Sequence, residues 1–271
     1  MRIFIAGLRK LVGRPSSFVS VGLLVGLLSL ILFASATIPP DEGGEGGNPR
    51  LLVTFPVAYD LILSFLFGFG GLVAVIYGAA IAGSEWSWGT LKNAVARGES
   101  RSRYMLGTFA AIMVMLAVGL TITFVLGVLV ALGGASIAGI STAGVSDADT
   151  LQRLPALFGR GWLAVVEQAA IGFAIATLTR SQLAGIGVGI AFYFGETFAR
   201  FFLPGIIKYM PFAVAQASVE TGDGGPGGPG GGGGGIIQVL EPDVALALVA
   251  VWLVGSLLLT VLFTERAEIT G

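Results

Sequence analysis

Apolar residues in this chain come in long unbroken runs. Val21–Phe33 (VGLLVGLLSLILF) and Val244–Phe263 (VALALVAVWLVGSLLLTVLF) show neither the alternation of a half-buried strand nor the one-sided stripe of a surface helix. A bilayer core about 30 Å thick needs roughly 20 apolar residues per helix. Six stretches meet that length: Phe18–Ile38, Ala58–Ala82, Met105–Leu132, Trp162–Leu178, Leu183–Leu203 and Val244–Phe263. Strands of a membrane barrel would alternate apolar and polar residues over about ten positions. The pattern therefore predicts an all-α membrane protein, with residues 1–271 forming one domain around six transmembrane helices.

Two of the connecting segments carry structure of their own. Residues 1–16 begin MRIFIAGLRKLVGR. On a helical wheel Phe4, Ile5, Leu8, Leu11 and Val12 share one arc, and Arg2, Arg9, Lys10 and Arg14 oppose it. That predicts an amphipathic helix lying in the headgroup plane with its cations toward anionic lipid. Residues 83–103 (GSEWSWGTLKNAVARGESRSR) contain a second short helix, on which Trp88, Leu91 and Val95 fall on one face and Lys92, Asn93 and Arg97 elsewhere. This segment suits docking into a groove of another protein through an aromatic anchor. Trp86 and Trp88 equally suit interfacial anchoring in lipid. Of the other connections, 39–57 reads as a flexible hairpin, and Asp149–Phe158 within 133–161 as a short surface amphipathic helix. Residues 204–243 include the run 222–235, where 11 of 14 residues are Gly. No Lys-Ser or Lys-Thr follows that run and no strand precedes it, so it reads as a disordered linker and not a phosphate loop.

Composition narrows the function classes. Charged residues make up 11% of the chain, against about 25% in soluble domains. Fifteen basic and sixteen acidic residues give a net charge of −1, with no basic footprint for nucleic acid. His and Cys are both absent, which removes disulfides, thiol nucleophiles and His-based catalysis. With the N-terminus cytoplasmic, ten Lys and Arg fall in inner segments and four (Arg50, Arg153, Arg160, Lys208) in outer ones. The excess predicts both termini on the cytoplasmic side of the plasma membrane. Ala34-Ser35-Ala36 resembles a signal-peptidase site, but the apolar run before it is longer than a signal core, and a retained span is expected.

Four charges lie inside the expected spans. Glu167 and Glu196 fall at similar depth in the outer half, Arg200 stands one turn from Glu196, and Asp60 lies near the outer mouth of the second span. Intramembrane charges face a partner or water. An i,i+4 Glu196–Arg200 ion pair, with Glu167 bonded to a neighbouring helix, is one expectation. A polar outer gate lined by these groups is the other. Gly22-x-x-x-Gly26 and Gly185-x-Gly187-x-Gly189 mark expected close helix contacts.

The segment around residue 85 resembles the permease subunits of ABC-2 type transporters. Such subunits carry a Glu at the inner end of the second span, then Gly-Thr-Leu, then Ser-Arg, then the third span. Here these are Glu85, Gly89-Thr90-Leu91 and Ser100-Arg101, leading into Tyr104-Met105-Leu106-Gly107. A basic interfacial helix, six spans and a long outer region between spans five and six match over nearly the whole chain. Thr108 departs from the basic residue that many relatives carry after the Leu-Gly. The resemblance implies a half-transporter that dimerises with an identical or paralogous permease and pairs with separate ATPase subunits. It makes Glu85, Trp88, Gly89, Thr90, Leu91, Val95, Ser100 and Arg101 the coupling segment. It makes the helix bearing Phe4, Leu8, Arg9, Lys10 and Leu11 the connecting helix. No cofactor would be bound by this chain, and ATP and Mg would sit on the partner subunit. The sequence agrees by omission, since it lacks G-x-x-x-x-G-K-[S/T]. An ion-coupled secondary transporter using Glu167 and Glu196 is the alternative, and an enzyme is not expected.

Overall fold

The computed structural model describes residues 2–39, 48–219 and 240–266. Among these residues the secondary structure is helical, with no strand. In chain order the helices are α1 (Arg2–Val12), α2 (Pro15–Thr37), α3 (Val57–Ser87), α4 (Thr90–Ala96), α5 (Arg101–Ile137), α6 (Ala148–Thr179), α7 (Gln182–Ala199), α8 (Pro204–Ile207), α9 (Pro211–Ala217) and α10 (Pro242–Arg266). Four of them, α2, α8, α9 and α10, open on a proline, whose fixed φ and missing N–H suit a first helical position. The glycine-rich run 222–235 lies outside the described residues.

Five helices (α2, α3, α5, α6 and α10) are long and apolar enough to cross a membrane. Several such helices mark the chain as a multi-pass membrane protein. The expected span Leu183–Leu203 becomes α7, which has only 18 residues and reaches about 27 Å at 1.5 Å per residue. It stops at Ala199 because Pro204 follows, and Leu203 adopts an extended φ of −134° before it.

Burial places α6 at the centre. Inside its most apolar window 78% of the residues are covered by protein, against 56% for α3 and 28%, 22% and 17% for α5, α2 and α10. The α3–α6 pair is the most extensive helix contact, and glycine makes it possible. A Cβ on Gly78 would lie 2.2 Å from the Ala169 carbonyl oxygen, and one on Gly172 would lie 2.1 Å from that of Val75. The two backbones therefore touch directly. The predicted contacts divide: Gly185 and Gly189 do press α7 against Ala176 and Val75, whereas a Cβ on Gly22, Gly26 or Gly187 would meet nothing within 4 Å.

Two expectations about connecting segments are corrected. Asp149–Phe158 is not a separate surface helix. It forms the first turns of α6, which runs unbroken through Pro155 to Thr179. Asp147 starts that helix by accepting the Thr150 N–H at 3.0 Å. Its hydrogen bonds from Thr150 hold its carboxyl below the usual aspartate range. At the other end of the molecule α3 continues past Ala82 to Ser87, so Glu85 and Trp86 are helical residues of α3. Only Thr90–Ala96 forms the separate short helix.

Helix α1 is packed against α5 rather than held apart from the bundle. A Cβ on Gly107 would sit 2.8 Å from Ile3 Cγ2, and one on Gly7 would sit 3.3 Å from Ala111 Cβ. Phe4 and Leu8 pack against the core, and Leu11 is buried. Part of the amphipathic face thus packs on protein, while Ile5 and Val12 of the same face stay exposed, as does Arg9.

Candidate functional site

Glu85 is the most heavily partnered side chain at the α1–α4 end of the bundle. It is fully buried in the last turns of α3. Lys10 of α1 donates to its Oε1 at 2.6 Å, and the Arg14 guanidinium lies 3.6 Å from the same oxygen. Its Oε2 accepts from the Tyr104 hydroxyl of α5 at 2.7 Å and from the Thr90 hydroxyl at the start of α4. One carboxylate therefore joins α1, α3, α4 and α5. A buried charge persists only when paired and hydrogen-bonded, and here both oxygens are used.

The surrounding contacts extend the same node. Arg14 donates to Ser84 Oγ at 2.8 Å and stacks over the Trp88 ring at 4.9 Å. Three residues further on, Ser17 donates to the Leu11 carbonyl and shares a 2.8 Å hydrogen bond with the Tyr77 hydroxyl. Arg180 closes α6 in the left-handed conformation (φ 51°). Its guanidinium sits over both Trp86 and Phe263, at 5.4 Å from each ring. Ser102 N–H donates to Glu265 at 3.3 Å, and Arg101 donates to the Glu265 carbonyl at 3.4 Å. The ends of α3, α5, α6 and α10 thus come together at this end of the bundle.

The expected docking face of that helix is divided. Leu91 is buried and Val95 packs on the core, so both serve the interior. Trp88 is 64% exposed and belongs to the end of α3. Gly89 makes the turn between them at φ 66°, a conformation that disfavours any residue with a Cβ. The outward surface consists of Trp88, Lys92, Asn93 and Arg97. Ser100 caps α5 by position only and is exposed.

The second polar group lies toward the opposite end. Glu196 and Arg200 do not form the expected intrahelical ion pair. Glu196 instead accepts the backbone N–H groups of Phe212, at 3.2 Å, and Ala213 at the start of α9. Arg200 donates to Gln216 at 2.7 Å. The chain reversal after α7 brings α9 back against α7, and its free N–H groups outcompete a side chain one turn away. Glu167 is fully buried on α6, and neither of its oxygens has a hydrogen-bond partner among the described residues. The expected bond to a neighbouring helix is therefore absent. Glu167 and Glu196 stand within electrostatic range of each other. Asp60 lies apart from them in sequence and is exposed in the first turn of α3.

The node at Glu85 was only half visible in the sequence. Glu85, Thr90, Leu91 and Tyr104 stood in a motif, but Lys10, Arg14 and Arg180 carried no spacing signal that tied them to it. Among the described residues no group of three or more His, Cys, Asp or Glu side chains could hold a metal. The Glu85 node is a joint: one buried carboxylate whose two oxygens have partners on α1, α4 and α5.

No curated protein matches the sequence. A family model matches residues 48–268, which takes in every helix from α3 to α10. The chain belongs to that family, the DUF2705 family, whose description is "protein of unknown function".

Proposed function

We propose that this chain is the membrane subunit of an ATP-driven exporter of the ABC-2 type, working as a pair of permeases with ATP hydrolysed on separate subunits. The observation that supports the reading best is the Glu85 node. A partner pressing on α4 would displace Thr90, and through Glu85 the push would reach α1, α3 and α5 together. Transport by alternating access needs such a joint between a soluble motor and the spans. Lys92, Asn93, Arg97 and the exposed Trp88 supply a polar surface with one aromatic anchor for the partner. In this reading α7 is the sixth crossing, both termini face the cytoplasm of the plasma membrane, and the Pro204–Ala217 region lies outside.

The test is affinity purification of the chain from its native membranes, with any ATP-binding cassette ATPase that co-purifies identified by mass spectrometry, followed by flux measurements in vesicles. The reading expects ATP-dependent flux that Trp88→Ala together with Arg97→Glu abolishes while folded yield is kept. Flux by the purified chain alone, without ATPase, would refute it.

A second reading, an ion-coupled secondary transporter, draws on the unpartnered Glu167 beside Glu196. Buried ionisable groups within spans commonly mark ion pathways. Glu167→Gln separates the two: it would abolish gradient-driven flux under the second reading and leave ATP-driven flux intact under the first.

A further inference from the structure

A groove of about 410 Å³, counting the space at its open side, runs between α2, α3 and α5. Its position along the three helices is specific. On α2 it extends from Ser17 to Leu24 and on α3 from Tyr77 back to Gly70. Each is a rise of about 10 Å, starting near the α1–α4 end and stopping near mid-span. The groove therefore covers most of one leaflet's hydrocarbon, about 15 Å deep, and does not cross to the other.

Its walls and its two ends differ in chemistry. Val21, Val73, Met115 and Leu116 make the walls apolar. Gly70 and Gly119 leave them without side chains at the deep end, where a Cβ on Gly119 would already meet Val21 at 3.0 Å. The hydroxyls of Ser17, Ser20 and Tyr77 cluster only at the shallow end. Just beyond them the α1–α2 elbow brings two cations, Lys10 and Arg14, to the single carboxylate of Glu85, which leaves the elbow with surplus positive charge. Arg9 is exposed beside it.

We propose that this groove is a binding site for one alkyl chain of an anionic phospholipid from the leaflet on the α1–α4 side, with the phosphate held at the α1–α2 elbow. The apolar slot matches in polarity the part of a single chain nearest the head group, and hydrocarbon is the medium at that depth. The hydroxyl end and the net positive elbow match the ester and phosphate region of the same molecule. Occupancy would touch Ser17 and Tyr77, which adjoin the Glu85 node. The site does not depend on the transport reading.

The test uses the full chain in nanodiscs of phosphatidylcholine doped with a lipid carrying a diazirine on its alkyl chain, with either a phosphatidylglycerol or a phosphatidylcholine head. Peptide mass mapping then locates the label. The proposal expects label concentrated on peptides containing Val21, Val73 and Met115, above that on the lipid-facing Leu258 and Leu262 of α10. It expects stronger groove labelling from the anionic probe. Val73→Trp should lower groove labelling about tenfold, the factor for displacing roughly two methylenes, and leave α10 labelling unchanged. Leu116→Trp, on another wall, should do the same, so a folding defect in one variant leaves the other to decide. Uniform labelling of groove and α10, equal labelling by both head groups, or labelling that survives both tryptophans would overturn the proposal.

Discussion

Replacing Glu85 and Lys10 singly and together tests whether the node is a true energetic link. Glu85 is inaccessible, and its Oε1 lies 2.6 Å from Lys10 Nζ. Removing one member of a buried ion pair costs about 3–5 kcal/mol. The Lys10 side chain is 32% exposed, so on losing Glu85 it recovers part of its hydration, and Glu85→Gln should cost about 3 kcal/mol, at the low end of that range. Lys10→Met leaves Glu85 with Arg14, Tyr104 and Thr90. Its expected cost is that of one charged hydrogen bond, about 1.5–3 kcal/mol. The double variant should then be less destabilised than the sum, by a coupling of about 1–2 kcal/mol. Reversible unfolding in mixed micelles, followed by circular dichroism, measures all three. Arg9→Met, at an exposed neighbour, should show no coupling with Glu85→Gln. Additivity within about 0.5 kcal/mol between Lys10 and Glu85 would refute the node.

Three further outcomes follow from local geometry. Gly78→Ala places a Cβ 2.2 Å from the Ala169 carbonyl oxygen, and the backbone cannot yield cheaply, so it should lose roughly 3 kcal/mol in the same unfolding assay; Gly22→Ala, which meets nothing within 4 Å, should be neutral or slightly stabilising. Gly89→Ala forces a Cβ into φ 66° and should cost about 1–2 kcal/mol, seen as faster hydrogen exchange over Thr90–Ala96. Asp147, whose carboxyl titrates below its ordinary 3.8, supports the start of α6 while ionised. That support is complete above the ordinary value and is lost as pH falls through the lowered one. Protection of the Ala148–Leu151 amides, taken relative to the intrinsic exchange rate at each pH, should therefore fall in acid in the native chain, and Asp147→Asn should remove that loss of protection.

The long helices were legible because the signal for a membrane crossing is length and apolarity, both of which are local. Hence the bounds of α2, α3, α5 and α10 differ from the apolar runs mainly by added polar ends. Where a span ends is less local. Helix α6 absorbs Asp149–Phe158 because Asp147 caps it and Pro155 falls within the helix without breaking it. The shortness of α7 follows from Pro204 beyond the apolar run. Glycine spacing read on one helix alone held for Gly185 and Gly189 and failed for Gly22 and Gly26. Gly22 and Gly26 have the spacing of a contact motif but face open space, whereas Gly78 and Gly172, far apart in sequence, make the closest approach between backbones.

Polar residues in a lipid-embedded chain are scarce, so each has few possible partners, yet their pairing is the least legible feature of this sequence. Lys10 and Glu85 are 75 positions apart, and no periodicity joins them. Only the packing of α1 on α5 brings them together. The same reasoning explains the failure of the Glu196–Arg200 pair. Proximity along a helix favoured it, but the N–H groups of Phe212 and Ala213 at the start of α9 are buried within the protein and need an acceptor, and Glu196 is within reach. Backbone demand therefore took the carboxylate, and Arg200 turned to Gln216. Sequence spacing reports which side chains can meet on one helix. In a packed interior the unsatisfied backbone of a neighbouring turn is the stronger claimant, and Glu167, on the adjoining α6, is left among the buried side chains without a hydrogen-bond partner in the described residues.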